Sequence, residues 1–466
     1  MGLFKNTILG TGAALVSVAS AYAADLPSRK AAPVEYVRIC DAYGRGFFYI
    51  PGTDTCVRFG GLVRADYGYV RSQDVFSGIS FAGVPVLSVR DDAQHTVGWE
   101  ARARITFDAR TQTSWGVVQT AARLRMSRQT GVFQGADVTT SNSTSAGVTL
   151  EAAFIRFAGF TFGASRDNFA MMPSLTYGAG HWGSFANGAK QIAYTYSFGG
   201  GFSATIALQD LADTQAAGTY QIDGSVPGTP RYRYDSAPSL VGRLDLMQGW
   251  GAISVAGAVA QVSASNNNLG VVGNEFSEKE TVFAATIGAS FNLPMLARGS
   301  KLYLTAAYAD GMTEYTTNWT SFKSSAYARD VGGFTMNHPS VVFEGSGLTA
   351  RIETVKSWNV AALLEHYWTP QYRSVLWGSY GNLEAPSTAS ARPWNGTTGF
   401  GDAKVWNIGT NFAWLPTRDF EIGVEVIYAR VDQDVRTAPG GPFGLTRLTN
   451  QSDGNVSGRL RVERSF

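Results

Sequence analysis

Residues 40–69 read CDAYGRGFFYIPGTDTCVRFGGLVRADYGY, and the second half of that stretch alternates strictly. Val57, Phe59, Gly61, Val63, Ala65, Tyr67 and Tyr69 fall on one face, and Arg58, Gly60, Leu62, Arg64, Asp66 and Gly68 on the other. A period of two is that of a β-strand, here with one greasy face and one wet, largely charged face. In front of the strand, Cys40 and Cys56 bracket an aromatic run and a Pro-Gly turn.

The same idea recurs along the chain. Sixteen strand-like segments can be drawn, near 56–70, 95–109, 115–128, 148–158, 160–167, 189–198, 201–210, 238–247, 250–263, 280–293, 300–311, 357–368, 371–384, 402–415, 418–430 and 454–466. In the second, Val97, Trp99, Ala101, Ala103, Ile105 and Phe107 alternate with Gly98, Glu100, Arg102, Arg104, Thr106 and Asp108. A soluble sandwich alternates too, with its apolar face inward. The connections discriminate. Tight links at 110–114, 158–159, 199–200 and 369–370 alternate with long polar ones at 71–94, 129–147, 211–237, 312–356 and 431–453. Short turns at one rim and long loops at the other predict an all-β fold, a transmembrane antiparallel β-barrel of about 16 strands. The final segment, VSGRLRVERSF, ends on the aromatic Phe466 in register with an apolar face, similar to the closing strand of outer-membrane barrels.

Bulk composition agrees. Charged residues make up 16% of the 466-residue chain, below the roughly 25% of soluble domains. Net charge is +2, which gives no basis for a nucleic-acid partner. No apolar run approaches the ~18–20 residues of a spanning helix. Residues 1–23 read as a signal peptide: Lys5 is followed by a small apolar core, and Ala21-Tyr22-Ala23 suits cleavage after Ala23. Residues 24–55 then form a periplasmic lead and the Cys-bracketed hairpin, and 56–466 the barrel. In an exported chain, Cys40 and Cys56 are most simply one disulfide; two buried free thiols are the alternative. No histidine lies near either cysteine, which argues against a metal.

The run PVEYVRICDAYGRGFFYIPGTDTCVRFGGLVRADY resembles the amino-terminal signature of the alphaproteobacterial porin family of rhizobial and brucella-type bacteria. The blocks YVRICDAYG, FFYIPGTDTC and GGLVR carry the resemblance together, and the ending RVERSF fits it. The resemblance implies a sixteen-stranded general-diffusion porin of the outer membrane, surrounded by lipid and usually trimeric. It also implies that the third long loop folds inward as a constriction. That loop is expected at about 167–190, DNFAMMPSLTYGAGHWGSFANGAK, where Asp167 is the only carboxylate although family members commonly carry several.

Opposite the loop, a basic wall is expected. Arg58, Arg64, Arg102, Arg104, Arg123 and Arg125 occupy inward positions of the first three strands, and Arg459 and Arg461 those of the last. On closure these strands are contiguous. Part of this charge need only solvate a wet lumen; the functional reading is an electrostatic lining that tunes ion selectivity. Glu421 and Glu425 would neutralise it locally. His181 in the loop is a candidate pH-sensitive pore group or an exposed loop histidine. Gly178 to Gly183 spells a G-x-G-x-x-G, but no helix pattern follows, so it reads as pore loop and not as a nucleotide site. His95, His338 and His366 lack ligand spacing, and no nucleophile elbow or paired-carboxylate arrangement emerges. The reading is therefore a channel without cofactor, metal or catalytic residues, passing small hydrophilic solutes and ions. A channel selective for organic acids and a surface barrel whose long loop 312–356 acts as adhesin or anchor are the alternatives. Phe466 is expected to serve as an assembly signal for the outer-membrane insertion machinery.

Overall fold

The structure, a computed structural model, describes residues 38–71, 74–75, 80–81, 84–85, 89–90, 96–133, 145–178, 188–210, 231–233, 238–265, 277–316, 340–344, 351–386, 398–437 and 448–466. Sixteen strands build the wall: β1 Thr55–Val70, β2 Val97–Thr113, β3 Gly116–Gln129, β4 Ser145–Phe157, β5 Phe160–Ser165, β6 Ala189–Gly199, β7 Phe202–Gln209 and β8 Ser239–Gln248, then β9 Gly251–Ser265, β10 Ser277–Asn292, β11 Lys301–Asp310, β12 Lys356–Thr369, β13 Tyr372–Glu384, β14 Thr398–Thr417, β15 Phe420–Thr437 and β16 Leu448–Ser465. Each pairs antiparallel with the next, and β16 returns to β1 in the register Leu62↔Ser465 to Val70↔Ser457. Closure leaves no edge strand, which is what backbone polar groups require in hydrocarbon.

The expected strands are all present. The chief differences are of length: β14, β15 and β16 run to 18–20 residues. Many of their extra pairs, such as Gln433↔Gln451 and Asp434↔Asn450, are polar. Ladder hydrogen bonds continue past the apolar band, where side-chain alternation no longer marks the strand. The tight connection between β4 and β5 is Ala158–Gly159, with φ of 49° and 87°. Two successive left-handed residues match the twist of an antiparallel hairpin.

Which face looks outward is settled by exposure. Phe59, Val63, Trp99 and Leu244 are 59–63% exposed. The intervening positions Asp66, Glu100 and Asp108 are 0–5% exposed. A soluble core would invert that pattern, so the apolar band faces lipid.

Two features close the short-turn rim. Cys40 and Cys56 form a disulfide with Cα atoms 6.1 Å apart. Both are buried with Phe47, and Phe48–Tyr49 pairs with Cys56–Val57. Arg58 and Arg110 from the inner wall lie over the Phe47 ring at 4.9 and 5.1 Å, so the hairpin tucks into the mouth of the barrel. At the other terminus, Phe466 donates its backbone N–H to Gly61 O and accepts that of Gly61, ending the closing ladder. A Cβ at Gly61 would stand 2.2 Å from the Arg104 carbonyl oxygen, so the seam needs glycine there. The Phe466 ring is 75% exposed on the outer face. The leader, its cleavage after Ala23 and the start of the lead lie outside the described residues.

Candidate functional site

The third long loop leaves β5 at Arg166 and runs inside the barrel. Arg166 Nη2 donates to Met172 O at 3.1 Å, and Asp167 Oδ1 accepts the Phe169 N–H at 3.0 Å, so the loop turns back on itself at its base. Phe169 then inserts against Ala193, Ala207, Val241, Ala256 and Ala284. Alanine at four of these five inward strand positions leaves room for the ring. Tyr315, from the long connection between β11 and β12, packs edge-on to Phe169 at 4.4 Å. Val341 and Ile352, from a small hairpin in the same connection, join that cluster. Further on, Met171 sits over Gly288 on β10, where a Cβ would come within 2.7 Å of its side chain. Met172 joins Leu363 of β12 and Val375 and Trp377 of β13.

The far end is clasped by charge. Asn411 Nδ2 of β14 donates to Leu175 O at 3.1 Å. Glu425 on β15 accepts the backbone N–H groups of Tyr177 and Gly178 at 2.6 and 2.7 Å. The Tyr177 hydroxyl donates to Glu421, and its ring needs the glycine at 423, where any Cβ would collide with that hydroxyl. Burial first, and the Glu421 charge next, push the Tyr177 phenol far above its ordinary range, so it stays a neutral donor. From β16, Arg459 and Arg461 both donate to Tyr177 O, and Arg461 stacks on the Tyr177 ring at 4.4 Å. Asp66 of β1 takes both guanidiniums, at 3.2 Å from Arg459 and 2.8–2.9 Å from Arg461. From Arg166 to Gly178 the loop thus follows the inner wall from β6 to β16, and these residues leave the wall of β1–β5 uncovered.

On that remaining wall the arginines are arranged in shared ion pairs. Arg104 and Arg125 share Glu151, at 2.7 and 3.6 Å. Arg58 and Arg110 share Asp108, at 3.6 and 2.9 Å. Arg102 is paired with Glu100, which also accepts from Gln129. Arg64 is paired with Glu463. Arg123, the next inward position to Arg125 on β3 and opposite Thr106, makes no ion pair among the described residues. Carboxylates that each serve two guanidiniums leave positive charge in excess.

A family profile described as Porin subfamily matches residues 25–455. The chain belongs to the porin family. Its relatives include porin Omp2b of Brucella suis, 36% identical over 265 residues, which is 55% of this chain and 65% of that porin. Porin Omp2b of Brucella melitensis is 35% identical over the same shares. The aligned part thus spans just under two thirds of these relatives. Among solved structures, the outer membrane channel DcaP of Acinetobacter baumannii superposes with a TM-score of 0.57 over 90% of this chain and 99% of that one. At 15% identity that likeness concerns the fold. The porin resides in the outer membrane, held there by its lipid-facing band.

Several expected site residues of this porin also hold the loop or the amino-terminal hairpin. Asp167 is 2% exposed, accepts the Phe169 amide, and borders the cavity at the base of the loop. Arg459 and Arg461 are likewise enclosed, at 8% and 5%, because they hold the loop. Arg58 faces the amino-terminal hairpin. Glu421 and Glu425 were expected to offset the basic wall; they bind Tyr177 instead, and Glu421 also pairs with Arg373 at 3.0 Å. His181 lies outside the described residues. Sequence reasoning missed the acidic partners Asp66, Glu100, Asp108, Glu151 and Glu463, although most lie on the same inward alternation as the arginines.

Proposed function

We propose that this porin is a water-filled channel for passive diffusion of small hydrophilic solutes and ions, with no catalytic step. The observation that carries this reading is the path of the third loop. It is fixed along β6–β16 by Phe169, Met172 and Tyr177, so it narrows the barrel without filling it. Selectivity follows from the opposite wall. Arg64, Arg102, Arg104, Arg123 and Arg125 outnumber their carboxylates, and arginine cannot relax by deprotonation. The reading is a weak preference for anions at low ionic strength. The usual porin trimer is part of the proposal, as are the cleaved leader at 1–23 and the periplasmic lead that follows it.

Liposome swelling tests the channel reading. Proteoliposomes should swell in small uncharged sugars, and the rate should fall steeply as the sugar grows. Absence of swelling with the smallest sugar, from a correctly folded barrel, would contradict it.

Phe466 is proposed to mark the last strand for the insertion machinery, since its ring stands free on the outer face beside Gly61. Deleting it should lower the amount of folded barrel in the outer membrane while export continues. Equal amounts in wild type and deletion would remove Phe466 from that role.

A further inference from the structure

Between the loop and the short-turn rim lies a cavity of about 960 Å³. Its lining includes Tyr43 of the disulfide-held hairpin, Arg110, Gln119 and Arg156 on adjacent strands, Arg166 of the loop and Arg243 of β8. Arg110 pairs in register with Gln119, and Gln119 with Arg156, so the three share one level of the wall. Strand spacing sets the two arginine Cα atoms roughly 10 Å apart. Three of the four guanidiniums are committed. Arg110 holds Asp108, Arg243 holds Asp245, and Arg166 donates to loop carbonyls. Arg156 differs. Its guanidinium lies over the Phe154 ring at 4.6 Å and makes no ion pair or side-chain hydrogen bond among the described residues. Stacking on an aromatic face fixes the plane of the fork while leaving its N–H edge to the cavity.

We infer that Arg156, flanked by Gln119 and Arg110 and faced by Tyr43, is a binding subsite for small carboxylate solutes on the short-turn side of the constriction. The inference rests on the channel reading and adds to it a solute class and a place. A guanidinium fork matches a carboxylate with two parallel hydrogen bonds, whereas chloride gains only the charge. Arg110 supplies a second positive field nearby, because Asp108 is shared with Arg58. The Tyr43 ring, 5.8 Å from the Arg110 guanidinium, offers an apolar surface for the carbon chain of such a solute.

The test is the reversal potential across a planar bilayer in low-salt gradients of potassium acetate and of potassium chloride. Wild type, Arg156→Gln and Arg156→Lys are compared, each checked for folding by its heat-dependent electrophoretic mobility. In Arg156→Gln the acetate-to-potassium permeability ratio should fall about fourfold, the effect of removing one charge about 5 Å from a passing anion in water. Arg156→Lys keeps the charge and loses the fork, so it should lower the acetate ratio while holding the chloride ratio. An acetate ratio equal to wild type in both variants overturns the subsite, and so does a lysine variant in which acetate and chloride change together. Wild-type protein that passes no current at all overturns the channel reading itself, which separates the two failures.

Discussion

Replacing Asp66 by alanine is expected to destabilise the folded barrel and set the constriction loop moving. Asp66 is fully buried between Arg459 and Arg461, themselves almost enclosed. Removing one partner of a buried ion pair costs about 3–5 kcal/mol, because the remaining charge has neither water nor counter-ion. Here two guanidiniums lose their shared acceptor, and both also hold the Tyr177 carbonyl. The temperature at which the folded band converts to the unfolded one on electrophoresis should drop clearly. Single channels should become noisier, because the end of the loop loses its fixed donors. Asp66→Asn, which keeps the shape and one acceptor, should fall between. A variant with wild-type conversion temperature and quiet current would show that the clasp does not hold the loop.

The second large effect is a change in the sign of selectivity. Converting Arg102, Arg104, Arg123 and Arg125 together to glutamine leaves Glu100 and Glu151 on the lumen wall without their cations. The wild-type preference for anions should therefore become a preference for cations, beyond a simple loss. Screening sets the conditions: the Debye length is about 10 Å at 0.1 M and about 3 Å at 1 M, so the difference should fade in concentrated salt. The reading is the reversal potential in a dilute KCl gradient. Identical potentials in wild type and the quadruple variant would mean that this wall does not set selectivity.

How far the chain could be read from its residues depends on the range of the interaction. The strands were legible because alternation is local: Val57 to Tyr69 declares its two faces without reference to any partner. The β14–β16 extensions were not, since polar pairs such as Gln433↔Gln451 carry no apolar period. The clasp was the least legible feature. Tyr177 and Glu425 are 248 residues apart, and only the closed sheet brings β1, β15 and β16 under one loop. A faint signal existed in Gly423, an inward glycine on a strand otherwise bearing Glu421 and Glu425 on that face, which the structure explains as space for a ring. The arginines were recognised one by one on their inward faces. Their carboxylates were passed over because pairing depends on cross-strand register, as for Arg104 on β2 reaching Glu151 on β4.

Single-channel recording of the purified protein in a planar bilayer tests the central claim most directly. A loop clasped to one wall of a wet barrel predicts discrete current steps, ohmic at low voltage, whose size in concentrated salt, where the wall charge is screened, rises in proportion to the conductivity of the bathing KCl. A folded, inserted barrel that gives no steps, or steps that stop growing as the salt is raised, as in a pore with one tight ion site, would contradict it.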